Sequence, residues 1–110
     1  MLTTFDVLAQ PIRRSILDRL RDGERLVGEL AEALGLAQPA TSKHLRVLRD
    51  AGLVTVRVDG PRRWYGLCVE PLAEIDDWLA PYRWMWEGRL DRLGAHLDAM
   101  SDDEGEIDVR

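Results

Sequence analysis

The chain has 110 residues, of which 45% are apolar and 32% are charged, and its formal net charge is −5. This composition is typical of one small globular domain, and no apolar run approaches the ~18 residues that a membrane-spanning helix needs. Cys68 is the only cysteine of the sequence, which excludes an intrachain disulfide and a thiolate zinc cage. The opening residues lack the pattern of a secretion signal, so a cytoplasmic location is expected.

Positive charge is concentrated in the middle of the chain. Residues 38–65 carry a net charge of +4, whereas residues 66–110 carry a net charge of −8. A local excess of basic side chains is expected where a protein contacts phosphate groups. A solvated surface that happens to be basic would give the same count, so charge alone leaves both interpretations open.

The first half of the chain predicts four helices. A short first helix contains Phe5, and Pro11 suits the start of the second because proline lacks the N–H that is unpaired there. The third, short helix ends at Gly35. The fourth begins at Gln38 and ends at Gly52, since glycine readily adopts the left-handed conformation of a helix end. The third and fourth helices, joined by a short turn, predict a helix-turn-helix.

The apolar period then changes from helical to alternating. Val54, Val56 and Val58 predict a strand, and the Asp59-Gly60 pair predicts the turn after it. A returning strand over residues 63–69 completes a β-hairpin wing. The predicted fold class is therefore mainly α with a β-hairpin wing, the arrangement of a winged helix-turn-helix DNA-binding domain.

A long final helix and an acidic tail follow the wing. Pro71 opens this helix, and Pro81 is expected to bend it or to make it restart. Residues 101–110 are acidic and have little to bury, so they predict a disordered tail. We assign residues 1–100 to one domain for DNA binding and dimerisation.

The fourth helix has the two faces that recognition of DNA requires. Thr41, Leu45 and Leu48 form an apolar stripe, and at 100° per residue the polar side chains point away from it. The major groove admits one helix, whose N-terminal side chains meet the base edges, and paired arginines on a hairpin tip suit phosphate or a minor groove. The candidate DNA-binding residues are Gln38, Ser42, Lys43, His44 and Arg46 of the helix and Arg62 and Arg63 of the wing.

Three basic residues have a second interpretation that the sequence leaves open. His44 borders the apolar stripe, so contact with DNA and packing in the interior are about equally expected. Arg13 and Arg14 at the start of the second helix are weaker candidates for phosphate contacts. Exposed helix charges without a ligand explain these two arginines at least as well.

These stretches resemble the ArsR-type family of bacterial winged-helix repressors from about Asp6 to Leu67. The resemblance rests on residues 8–17, 28–34, 38–45 (QPATSKHL) and 48–54 (LRDAGLV), and on Arg63, Tyr65 and Leu67 in the wing. It implies a homodimer that represses transcription at a palindromic operator in double-stranded DNA, often that of its own gene. It also places the DNA contacts of the family at Gln38, Ser42, Lys43 and His44, with Arg62 and Arg63 in the wing.

The sequence departs from the family where some relatives bind metals and where they cap the recognition helix. Cysteine ligands of the third helix fall here on Leu26 and Gly28, and the last helix offers His96 without its usual partners. The resemblance therefore implies no metal or other cofactor at the known sites, and the effector stays unknown. Ala37 replaces the usual serine, which removes a helix cap.

The last helix carries a long apolar stripe that predicts a dimer interface. A stripe of this length needs more partner surface than the core of one small domain supplies. Packing of the whole stripe within one subunit is the alternative. The predicted interface residues are Phe5 of the first helix and Leu72, Ile75, Leu79, Tyr82, Trp86, Leu90, Leu93 and Leu97.

Two other functions are compatible with the sequence. Cys68 would be the switch of a redox-responsive repressor, although a thiol at the end of an apolar strand is more often buried and inert. The net negative charge would suit a winged-helix module that binds proteins. No nucleophile–base pair, phosphate-binding loop or carboxylate dyad is apparent, so the sequence does not predict an enzyme.

Overall fold

The structure, a computed structural model, describes residues 2–100, and for residues 90, 91 and 95–100 it describes the backbone alone. The elements follow one another in the order α1 (Thr4–Leu8), α2 (Pro11–Leu20), β1 (Arg25–Leu26), α3 (Val27–Leu34), α4 (Gln38–Asp50), β2 (Val54–Asp59), β3 (Arg62–Leu67) and α5 (Leu72–Met100). The predicted mainly helical fold with a wing and a long last helix is confirmed. The predicted acidic tail lies outside the described residues.

Local sequence signals account for the helix ends. Thr3 and Asp6 form a capping box at α1, in which each side chain accepts the backbone N–H of the other residue. Gly35 (φ 65°) and Gly52 (φ 76°) end α3 and α4 in the left-handed conformation. The N–H of Leu53 then bonds back into the last turn of α4.

The start of α4 has no side-chain cap. Ala37 occupies the N-cap with extended backbone angles and offers no side-chain acceptor for the unpaired N–H groups of the first turn. We expect Ala37→Ser to raise the free energy of unfolding by about 1 kcal/mol, measured by urea denaturation. Ala33→Ser, on the exposed side of α3, is the control, because a serine inside a helix is slightly unfavourable. Equal effects of the two substitutions would contradict capping.

The wing is part of a three-stranded antiparallel sheet with the order β1-β3-β2. Asp59 pairs with Arg62, so only Gly60 and Pro61 form the loop. Gly60 has a φ of 59°, as the first loop residue of a type II′ hairpin requires. The sequence predicted the hairpin but missed β1, whose two residues are too short to show a period.

The core joins the helices of the first compact unit, which ends at Asp77. The buried cluster consists of Val7, Ile16, Leu17, Leu20, Leu30, Leu45, Leu48, Leu53 and Val54. Thr41 is also fully buried, and its hydroxyl donates to the carbonyl of Ala37 at 3.0 Å. The inner face of α4 is therefore fixed by packing, and this decides which side chains form its outer face.

The second compact unit begins at Trp78, within α5. α5 continues through Pro81 without the restart that the sequence suggested as one outcome. Proline removes the N–H that would bind the carbonyl of Asp77, and one missing hydrogen bond is small beside those of a 29-residue helix. Among the described residues, no helix combines the length and apolar character needed to cross a membrane.

Candidate nucleic-acid interface

The outer face of α4 carries most of the residues that the sequence assigned to DNA. Gln38, Ser42, Lys43 and Arg46 are all exposed, while Thr41, Leu45 and Leu48 on the opposite face are fully buried. Gln38 is the first residue of the helix. The predicted division of the two faces is therefore present, and three of these four exposed residues lie in the first half of α4.

A groove of about 670 Å³ separates α4 from the wing. Its charged lining residues are Arg46, Arg49, Asp50 and Arg63, so three cations face one carboxylate. Ser42 and Tyr65 add hydroxyl groups to the same groove. This lining suits a polyanion that supplies phosphate oxygens to several guanidinium groups at once.

Arg49 was missed by the sequence analysis as a site residue. Ser42, Arg46 and Arg49 have the spacing i, i+4, i+7, which places them on one face of a helix. That spacing was available in the sequence. The spacing alone does not indicate a site. The fold does, because it places Arg63 of the wing on the other side of the same groove.

The tip of the wing exposes Arg62 and Arg63 as predicted. The middle of the hairpin is held by Arg57, whose guanidinium donates to both carboxylate oxygens of Glu24 at 3.0–3.3 Å and lies 5.7 Å from the ring centre of Trp64. The hydrogen bonds with Glu24 raise the pKa of Arg57. Arg57 therefore ties β2 to the residue before β1, and its charge is engaged within the protein.

His44 is half-buried and faces α2. The Nε of Arg13 donates to the Nδ1 of His44 at 3.3 Å, and the Nη1 of Arg13 donates to the carbonyl of Val7 at 3.3 Å. Burial, and then the charge of Arg13, lower the pKa of His44. Arg14 donates to the carbonyl of Leu8. Arg13 and Arg14 thus have partners in the protein, which neither sequence interpretation foresaw.

Cys68 follows directly after β3 and is half-buried rather than fully buried. Its Sγ donates to a carboxylate oxygen of Glu70 at 2.8 Å, and this hydrogen bond raises the pKa of the thiol. The reactive form of cysteine is the thiolate, so a raised pKa disfavours redox reactivity. The described residues also contain no group of three or more potential metal ligands among His, Cys, Asp and Glu.

The predicted interface residues occupy different environments. In the first unit, Leu72 packs against the core, Ile75 is half-buried and Phe5 is exposed. In the second unit, Leu79 is half-buried, whereas Tyr82, Trp86 and Leu93 are exposed. The side chains of Leu90 and Leu97 lie outside the described residues.

Further exposed apolar side chains lie on the second unit. Trp84 is 71% exposed and Met85 is 45% exposed. The ring centres of Trp78 and Tyr82 lie 5.5 Å apart. Large apolar surfaces of this kind are typical of protein–protein interfaces.

Comparisons with known proteins agree with this geometry. Residues 10–56 match the model of the bacterial regulatory proteins of the arsR family. The HTH-type transcriptional regulator Rv2034 of Mycobacterium tuberculosis is 38% identical over 99 residues, 90% of each chain. The transcriptional repressor SdpR of Bacillus subtilis is 30% identical over 79 residues, which span 72% of this chain and 88% of that protein.

A solved structure supports the same fold. It is the homodimeric winged helix-turn-helix DNA-binding domain of a possible ArsR-family transcriptional regulator from Mycobacterium bovis. The similarity covers 92% of this chain and 82% of that one, with 28% identity and a TM-score of 0.57. Sequence, fold and the position of the helix-turn-helix agree, and the chain belongs to the ArsR family of bacterial regulatory proteins.

Proposed function

We propose that two copies of this chain bind a palindromic operator and repress transcription from it. The observation that carries the proposal is the exposed polar face of α4 beside a groove in which Arg46, Arg49 and Arg63 converge. The names of the relatives support repression and a homodimer, since one is a transcriptional repressor and another is a homodimeric DNA-binding domain. The action is binding in the cytoplasm, without a catalytic step.

The proposed contacts divide between bases and phosphates. Gln38, Ser42 and Lys43 lie in the first half of α4 and are assigned to base edges, because glutamine can bridge adenine, lysine can address guanine and serine can do either. Arg46, Arg49 and the wing arginines are assigned to the backbone. Phosphate contacts fix position on the duplex, whereas base contacts select its sequence.

The proposed dimer follows from the apolar side chains of α5 together with Phe5. A twofold axis would place the two α4 helices in successive major grooves, about 34–36 Å apart along the duplex. Occupation of the operator would then exclude RNA polymerase. Because the proposed interface belongs to α5 and Phe5 whereas the proposed DNA contacts belong to α4 and the wing, a change at one would be coupled to the other through the geometry of the dimer.

Substitution of Gln38 and Arg62 separates the two kinds of contact. We expect Gln38→Ala to relax the preference for one base position, with a loss of about 1–3 kcal/mol on the preferred duplex alone. Arg62→Ala should weaken all duplexes alike and reduce the slope of log K against log salt by about 1. The measurement is a gel shift at several salt concentrations with a duplex that the wild-type protein selects from a randomised pool and with a scrambled duplex.

The wild-type protein provides the first control in this experiment. Selection of no palindrome from the randomised pool would contradict the proposed function. If Gln38→Ala and Arg62→Ala each lose the same affinity for both duplexes, the proposal that the protein binds DNA stands. The division into base contacts and phosphate contacts is then contradicted. Circular dichroism of both variants shows whether either substitution acts through unfolding instead.

A further inference from the structure

The hydrogen bond between α2 and α4 determines which nitrogen of His44 carries a proton. A guanidinium group only donates hydrogen bonds and is always charged in proteins. The Nδ1 atom of His44, 3.3 Å from the Nε of Arg13, must therefore be an unprotonated acceptor. In a neutral imidazole the proton then lies on Nε2, which is a hydrogen-bond donor.

Arg13 is itself held in place from a second side. Its Nη1 donates at 3.3 Å to the carbonyl of Val7, a residue of α1 that is fully buried in the core. Arg13 is half-buried as well. Its guanidinium thus joins α1 and α4. Because Arg13 is held from two sides, it also fixes the orientation of the His44 ring.

The surroundings of His44 favour the neutral ring. A cavity of about 390 Å³ beside it is lined by Ala40 and Val47 and by three cations, Arg13 from α2 and Lys43 and Arg46 from α4. A proton on Nδ1 would remove the acceptor of Arg13 and would place a further positive charge among these groups. The lowered pKa of His44 is consistent with this arrangement.

We propose that Arg13 is a positioning residue for DNA recognition, because it holds His44 neutral with its proton on Nε2 and so lets α4 present a ring N–H donor to the duplex. The acceptor class is an N7 or carbonyl oxygen of a base in the major groove or a phosphate oxygen. This inference rests on the proposed function, since it assigns to His44 a place on the DNA-binding face. It gives Arg13 a role that reaches DNA only through another side chain.

A double-mutant cycle tests the coupling between the two residues. The probe is the duplex that the wild-type protein selects from a randomised pool, and the measurement is its dissociation constant at one salt concentration and neutral pH. We expect Arg13→Ala and His44→Ala each to raise the dissociation constant about tenfold over that of the wild-type protein. The double variant should also show a rise of only about tenfold, because both substitutions remove the same contact. A double variant weakened about a hundredfold would show independent action and overturn the proposal.

Arg14→Ala is the matched control. It removes the same charge from the same helix and also breaks a hydrogen bond to a backbone carbonyl, that of Leu8, but it does not touch His44. We expect a change of less than about twofold in binding. Arg13→Lys keeps the charge without the planar pair of donors, so binding should stay weak. Full rescue by lysine, or an Arg14→Ala loss equal to that of Arg13→Ala, would reduce Arg13 to a source of charge and overturn the proposal.

A second measurement needs no DNA. Nitrogen NMR of the imidazole rings, with His44→Ala used to assign the signals, should show unprotonated Nδ1 and protonated Nε2 for His44. In the Arg13→Ala variant we expect the pKa of His44 to rise and its preference for the Nε2 tautomer to weaken. If the pKa and the tautomer of His44 are both unchanged, the positioning role of Arg13 is contradicted. If the wild-type protein selects no duplex, the proposed function is wrong, and so is the role of Arg13 in DNA recognition. If it selects a duplex and the cycle is additive, only the role of Arg13 fails.

Discussion

Replacement of both Arg46 and Arg49 by alanine is expected to weaken binding to every duplex by roughly a hundredfold at moderate salt. Both guanidinium groups line the groove between α4 and the wing, opposite Arg63. Each contact with a phosphate releases a condensed counterion, so the slope of log K against log salt should decrease by about 2. Gel shifts with selected and scrambled duplexes over a series of salt concentrations provide both quantities.

The matched control is the double substitution of Arg19 and Arg21 by alanine. These exposed residues line a different groove, in which Asp18, Asp22 and Glu29 are close by. The control changes the net charge by the same amount but leaves the groove beside the wing intact. If both double variants lose affinity and salt dependence to the same extent, the effect belongs to the overall charge and the assignment of the groove to phosphate is wrong.

Val54→Ala is expected to lower the free energy of unfolding by about 2 kcal/mol. Val54 is 2% exposed at the start of β2 and belongs to the core cluster with Leu45 and Leu48. The substitution removes two buried methyl groups and leaves a cavity against the inner face of α4. Urea denaturation at one fixed protein concentration measures the loss, because the proposed dimer would make stability depend on concentration.

The same strand offers the control for this substitution. Val58 lies four residues further along β2 and is 66% exposed. Val58→Ala removes the same two methyl groups from the surface, so a change within about 0.5 kcal/mol is expected. The structure shows that the core extends from the helices to the start of the wing. Equal stability of the two alanine variants would contradict this.

The stability of α4 and its recognition surface are connected by these observations. Thr41, Leu45 and Leu48 anchor one face of the helix in the core, and this burial holds Ser42 and Arg46 on the other face. Loss of core packing is therefore expected to disorder the proposed DNA-binding face, whereas loss of an exposed arginine leaves the fold intact. Measurements of unfolding and of DNA affinity on the same variants distinguish the two cases.

The sequence by itself determined the features that depend on neighbours along the chain. The 3.6-residue period of α4 assigned Thr41 and Leu45 to the interior and Lys43 to the outside, as the structure shows. Gly35 and Gly52 marked helix ends because few other residues adopt a positive φ without strain. The Asp59-Gly60 pair marked the hairpin for the same reason. These signals are local, so one chain read alone contains them.

Only the tertiary structure decided which distant residues meet. Arg13 and His44 are 31 positions apart, and Glu24 and Arg57 are 33 positions apart. No period or spacing predicts such pairs, because their contact depends on how α2 packs against α4 and on how the residues around β1 join the wing. The two-residue β1 and the groove between Arg49 and Arg63 arise in the same way. The sequence specifies which faces are polar, whereas packing of the helices and the sheet decides which polar groups act together.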